Sequence, residues 1–273
     1  MKPAGVGFGS AAAVLVLLTA GEALRLARDP PPEGGPVAAS TPQEEIPPYD
    51  GRFTFLRIQF GADGSDLRSF GRFRRGRGRQ APWEHDRPRA EQHFAKILEA
   101  TTFIDARQEE EAGIYLPLDD PRLFEYPIAY ICEVGYWRPT DDQAEALRNY
   151  LLKGGFLIVD DFRGRDLNNF EDQMDRVLPG VRFFRLSGAD EVFDSFFRIP
   201  EPENMVTYYD RGRPIYYGIF EDNDPTGRLM VILNYNNDIG EYWEFSDQGY
   251  VPIDLSNEAY RFGVNYVIYG LTH

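Results

Sequence analysis

Chemistry in this sequence concentrates where carboxylates follow apolar runs. Phe156 to Val159 is a short apolar stretch, and it is closed by two adjacent acids, Asp160 and Asp161, with Arg163 and Asp166 just beyond. A second apolar run, Ile128 to Ile131, leads through Cys132 to Glu133. If both runs are neighbouring strands, their ends bring Glu133 beside Asp160 and Asp161, and two or three carboxylates at such a place can hold Mg²⁺ or Ca²⁺ through oxygen ligands. The plainer alternative has Asp161 cap the following helix or pair with Arg163, while Asp160 accepts loop amides. A second group is Trp83, Glu84, His85 and Asp86, at a loop-to-helix junction. An aromatic beside acids suits sugars or amines, His85 being the titrating member. Here the alternative gives Trp83 a packing role and Asp86 a helix cap. A third group is aromatic: Tyr235, Tyr242, Trp243, Phe245 and Tyr250 among Asn234, Asn236, Asn237 and Asp238, either a contact surface or a lid on the core.

These groups need elements to position them. Arg52 to Phe60 alternates as a strand, and Asp86 and Pro88 open a helix whose buried face is Ala90, Phe94, Ile97 and Leu98. Short strands are expected over Thr101 to Asp105 and Gly113 to Leu116, and a stronger one over Pro127 to Glu133. Thr140 with Gln143 forms a capping box for a helix through Leu147, Leu151 and Leu152, ended by Gly154 and Gly155. Phe170, Met174, Val177 and Leu178 mark another helix, Val181 to Leu186 a fifth strand, Tyr216 to Phe220 and Arg228 to Tyr235 a strand pair, and Ser256 to Tyr269 the last helix. The alternation of strand and helix predicts an α/β domain with a mostly parallel sheet covered on both faces, and ligands of such sheets bind beyond the carboxyl ends of the strands.

The formal net charge is -15 and the cations are almost all arginine, lysine occurring only at Lys2, Lys96 and Lys153. A phosphate backbone needs a broad basic surface, so nucleic acid is not an expected partner. The run from Arg72 to Arg79 is the local exception, read as a solvated loop or an anion holder. Residues 1 to 28 carry Lys2 and an apolar stretch from Ala11 to Ala20, too short for a comfortable membrane span, and read as a signal peptide or signal anchor. Residues 29 to 49 are a proline-rich linker, and 50 to 273 the α/β domain. The expected location is therefore exported: periplasmic, or tethered by the N-terminal anchor. A single cysteine, Cys132, precludes an intramolecular disulfide.

The Phe53-Thr54-Phe55-Leu56-Arg57 strand, Trp83-Glu84 before a helix, Asp120 to Phe124 leading to Tyr126-Pro127, the Leu147 to Asp161 block, Leu178-Pro179-Gly180, Gly227-Arg228-Leu229 and Gly263-Val264-Asn265 resemble the bacterial family called domain of unknown function 4159. The resemblance spans roughly residues 50 to 273. It implies a flavodoxin-like, class I glutamine amidotransferase-like three-layer sandwich, and no established activity. A glutaminase needs a cysteine on a tight strand-to-helix elbow with a histidine to activate it. Ile131-Cys132-Glu133-Val134-Gly135 matches that elbow only faintly, Tyr130 standing where a small residue belongs, and no histidine lies late in the chain except His273. Where the family carries a histidine ahead of Val192-Phe193, this chain has Asp190 and Glu191. The expectation is a non-catalytic module binding a small ligand or cell-envelope proteins on a degenerate amidotransferase-like scaffold. The alternatives are a carboxylate-dependent, metal-assisted hydrolase using Asp160, Asp161 and Glu133, or a structural envelope component. No cofactor is expected, apart from Mg²⁺ or Ca²⁺ on those three carboxylates. Trp83, Glu84, His85, Arg163 and Asp166 are the candidate binding residues.

Overall fold

The computed structural model of the chain describes residues 48–61, 81–108, 113–209 and 212–273. The leader, nearly all of the proline-rich linker and the Arg72 to Arg79 run lie outside the described residues. A compact unit spans Ile46–His273. Its seven strands are β1 (Phe55–Ile58), β2 (Gly113–Leu116), β3 (Ile128–Cys132), β4 (Phe156–Phe162), β5 (Phe184–Arg185), β6 (Ile215–Phe220) and β7 (Leu229–Tyr235). They form one sheet in the order β2-β1-β3-β4-β7-β6-β5. Neighbours from β2 through β7 run parallel, while β6 is antiparallel to both β7 and β5.

Alternation along the strands divides the core between two faces. Phe55, Ile128, Tyr130, Phe156 and Ile158 pack with the helices α1 (Arg89–Thr101), α4 (Ile239–Glu244) and α5 (Ile253–Thr272). Leu56, Ile58, Ala129, Ile131, Leu157 and Val159 turn to the other face, where α2 (Asp141–Leu152) and α3 (Arg165–Val177) contribute Leu147, Leu151, Phe170, Met174 and Val177. The result is a mixed α/β fold with helices on both sides of a mostly parallel sheet. At the head of α2, Thr140 Oγ1 accepts the Gln143 amide while Gln143 Oε1 accepts the Thr140 amide, both at 3.2 Å. Gly154, at φ +107°, turns the chain out of α2 towards β4, a conformation open to glycine.

Some predicted elements differ. Thr101 to Asp105 is not a strand: Thr101 and Thr102 hydroxyls bond back to the carbonyls of Ile97 and Leu98 at 2.7 and 2.6 Å and finish α1, and Phe103 is solvent-exposed. Val181 to Leu186 shrinks to the two residues of β5, an edge strand paired on one side only. Helix α4 was not anticipated. Among the described residues no helix is long and apolar enough to cross a membrane.

Candidate functional site

The carboxyl ends of β1, β3, β4 and β7 gather the acids. β3 and β4 are in register through Cys132 and Asp160, and the Glu133 amide donates to the Asp161 carbonyl at 3.2 Å, so Glu133 lies across from Asp161. Consecutive residues of a regular strand point to opposite faces. At the end of β4 the register with β7 shifts between Val159 and Phe162, and Asp161 adopts a left-handed φ of +51°. A bulge of this kind re-aims side chains, and it lets both aspartates serve one cluster. Glu133 (φ +51°) and Asp86 (φ +65°) are left-handed as well. Backbone strain of this kind, costing on the order of 1–3 kcal/mol per residue, persists only where the surroundings enforce it.

Asp160 is fully enclosed. Its carboxylate accepts the Tyr130 hydroxyl at 2.9 Å and the amides of Gly240 and Ile239, at 2.9 and 3.3 Å, from the first turn of α4. Burial outweighs those three donors and lifts its pKa to about 6. Asp161 differs: burial opposes its charge, but contacts with His85 and the Tyr209 hydroxyl prevail and hold it below the usual carboxylate range. His85 Nδ1 lies 2.8 Å from Asp161 Oδ2 and 3.1 Å from Asp86 Oδ1, and Nε2 lies 3.9 Å from Glu241 Oε2. Tyr209 donates its hydroxyl to Asp161 Oδ1 and carries the Arg163 guanidinium over its ring at 4.3 Å. Asp238 caps α4, accepting the Glu241 amide at 2.9 Å. Burial, and the charges of Asp160 and Asp161, push the Asp238 carboxyl well up; burial and the Asp238 charge do the same to Asp86.

One arginine holds the loop that carries His85 and Asp86. Arg57 of β1 is wholly buried, with Nε 2.7 Å from Glu91 Oε1 and Nη1 donating to the carbonyls of His85 at 2.7 Å and Trp83 at 3.3 Å. The same Nη1 sits 3.1 Å from Cys132 Sγ. Even so, burial keeps the Cys132 thiol far above its ordinary pKa, so it stays protonated and a poor nucleophile.

The candidate residues separate accordingly. His85, Asp160, Asp161 and Glu133 come together. Glu84 is tied locally, accepting the Ala81 amide at 2.6 Å, and Trp83 is a core side chain tilted against Tyr115. Asp166 accepts the Arg163 amide at 3.1 Å ahead of α3. Asp86 is no helix cap: α1 is preceded by Pro88, and the Asp86 carboxyl points into the cluster. Sequence reasoning missed Arg57 and Glu241, and placed Asp238 with the aromatic group rather than with the acids. Asp238 followed three residues later by Glu241, ahead of Tyr242 and Trp243, is a readable helix-start signal; Arg57, amid an alternating strand, carried none. A cavity of about 220 Å³ lies elsewhere, lined by Tyr49, Arg52, Phe53, Ile104, Pro127 and Leu271 around the amino ends of β1 and β3.

No curated protein matches the chain. Residues 69–271, well over half of its length, match a family described as a domain of unknown function, DUF4159, and the chain, with its acids gathered at the carboxyl edge of a mostly parallel sheet, belongs to that family.

Proposed function

We propose that the protein is an exported, non-catalytic binding module on a degenerate, amidotransferase-like scaffold, and that its carboxyl-edge acid cluster takes a cationic ligand. The observation that carries this reading is a mismatch of buried charge. Asp86, Asp160, Asp161 and Asp238 are each no more than 5 % exposed. Among the described residues, the only basic side chain within ion-pair distance of these four is His85. Buried carboxylates of one sign must share protons or meet a cation, because uncompensated charge is costly away from water. A structural network would instead match acids with arginines, as Arg57 and Glu91 do a few residues away.

Two further features support the scaffold reading. The parallel strands run β2-β1-β3-β4-β7, the order 2-1-3-4-5 of flavodoxin-like sheets, which place ligands at the carboxyl edge. The protonated, enclosed Cys132 opposes thiol chemistry. The export reading rests on the leader and is tested by cell fractionation.

The test is thermal unfolding against a panel of cations, divalent metals, polyamines and amine-bearing small molecules, after chelator treatment. A ligand present at about 100 times its dissociation constant stabilises by about 2.7 kcal/mol. At least one panel member raises the midpoint of the wild type and does so far less in Asp161→Asn and Asp238→Asn. A panel without effect, or one whose effect survives both substitutions, refutes the reading. A second reading, a metal-assisted hydrolase, draws on the contact between His85 and Asp161, which resembles an oriented base. Hydrolysis of activated esters or phosphoesters lost in His85→Gln would favour it.

A further inference from the structure

We infer that the cation is a single divalent transition-metal ion, of the class of Zn²⁺ or Mn²⁺, held by His85, Asp86, Asp238 and Glu241. The inference rests on the cation-binding reading above and names its ligand. His85 and Asp86 come from the segment between β1 and α1, Asp238 and Glu241 from the head and first turn of α4 after β7, and each offers one donor atom, all within 4.8 Å of one another. Ligands on opposite sides of one ion are separated by at most twice a bond of about 2.0–2.3 Å. A bound of 4.8 Å is close to that limit, so the four donors are near enough together to share one ion, and closer than the roughly 5.6 Å that two opposed hydrogen bonds of about 2.8 Å to an ammonium would span.

Asp86 supplies a separate indication. Its side chain is wholly buried; His85 Nδ1 lies 3.1 Å from Oδ1 without hydrogen-bond geometry, and neither oxygen accepts a hydrogen bond among the described residues. It is aimed into the cluster: a Cβ placed on Gly240 would lie 2.7 Å from Asp86 Oδ2 and 3.6 Å from Asp160 Oδ2. An enclosed carboxylate without a hydrogen-bond donor costs the fold unless something fills its lone pairs, and an ion bound by the four residues does so.

His85 also selects the metal. Carboxylates alone suit Mg²⁺ and Ca²⁺, whereas an imidazole among them favours first-row transition ions. Behind the imidazole stands Asp161, 2.8 Å from Nδ1 and itself held by Tyr209. A carboxylate at that ring nitrogen fixes the tautomer and orientation of a ligating histidine, so Asp161 is a positioning residue. A second set of close donors, His85, Glu133 and Asp161, shares the same imidazole, and the cluster accordingly holds one ion rather than two.

The experiment uses the full chain. Metal content is measured by mass spectrometry after purification and dialysis. Chelator-treated protein is then titrated calorimetrically with Zn²⁺, Mn²⁺, Mg²⁺ and Ca²⁺ separately, with spermidine as an organic cation. The expected result is about one transition ion per chain, bound more tightly than Mg²⁺ or Ca²⁺. Asp86→Asn and Asp238→Asn, checked for folding by circular dichroism, abolish the binding, and Asp161→Asn weakens it roughly 10–100-fold. The inference is overturned if no metal binds the wild type, if Mg²⁺ or Ca²⁺ binds more tightly, or if folded Asp86→Asn and Asp238→Asn bind unchanged. Should spermidine bind in a manner sensitive to Asp238→Asn while no metal does, the cation-site reading stands and the metal falls. Should nothing bind, both fall.

Discussion

Arg57 and the aspartates of the cluster place opposite demands on the same small volume. The guanidinium is compensated by Glu91, and its Nη1 donates to the carbonyls of Trp83 and His85, so it fixes the segment that delivers His85 and Asp86. Removing one partner of a buried ion pair leaves the other uncompensated, and Arg57→Met is expected to lower the unfolding free energy by about 3–5 kcal/mol in urea titrations. The double variant Arg57→Met, Glu91→Leu recovers part of that loss. The aspartates act the other way. Asp86, Asp160 and Asp238 all have pKa values raised by burial and by neighbouring carboxylates, Asp161 among them in each case, Asp160 to about 6. A carboxyl whose folded pKa exceeds its unfolded value of about 3.9 stabilises the fold below that value, and the contribution disappears as pH rises through the folded pKa. For Asp160 alone the change is on the order of 3 kcal/mol between pH 4 and 7. Groups with lowered pKa values, such as Asp120, Asp161 and Asp224, act in the opposite sense only below about pH 4. With chelator present, the urea midpoint is therefore higher at pH 5 than at pH 7, and Asp160→Asn flattens the difference.

Among the elements, α4 does most with least length. Its six residues supply two amides to Asp160, and Asp238 at its head joins the cluster while capping the helix. Gly240 permits that approach: a Cβ there would lie 2.7 Å from Asp86 Oδ2 and 2.9 Å from the Tyr130 hydroxyl. Gly240→Ala is expected to cost about 1–3 kcal/mol, read by thermal unfolding, because enclosed groups must shift to admit the methyl. The capping box of α2 and the strands β3, β6 and β7 were legible from local pattern, since propensity and burial agree there. Register was partly legible too, for parallel strands ending in Glu133 and Asp160 imply adjacent carboxylates. The bulge at Asp161 was not, because pattern assigns successive residues to opposite faces and the left-handed turn is imposed by tertiary contacts. Nor was the convergence of Asp238 with Asp86, which are 152 positions apart in sequence and meet only because β7 lies beside β4 while the loop after β1 crosses towards them.

Across the described residues, the parallel strands bring their carboxyl ends to one edge, and the buried acids cluster there, while a cavity of about 220 Å³ lies at the opposite end. This edge arrangement sets the acid cluster apart from that cavity. It also leaves Cys132 under the cluster, enclosed and beside Arg57. The native protein is expected to leave the thiol untouched by a thiol-reactive dye and to expose one reactive group per chain in urea; rapid labelling of the native state would contradict a protonated, enclosed cysteine. The most direct test of the central claim is anomalous diffraction from crystals grown with Mn²⁺ and collected at its absorption edge. The account predicts one peak about 2.0–2.3 Å from the oxygens of Asp86 and Asp238 and from a nitrogen of His85. Peaks confined to exposed carboxylates, with none between His85, Asp86, Asp238 and Glu241, would contradict it.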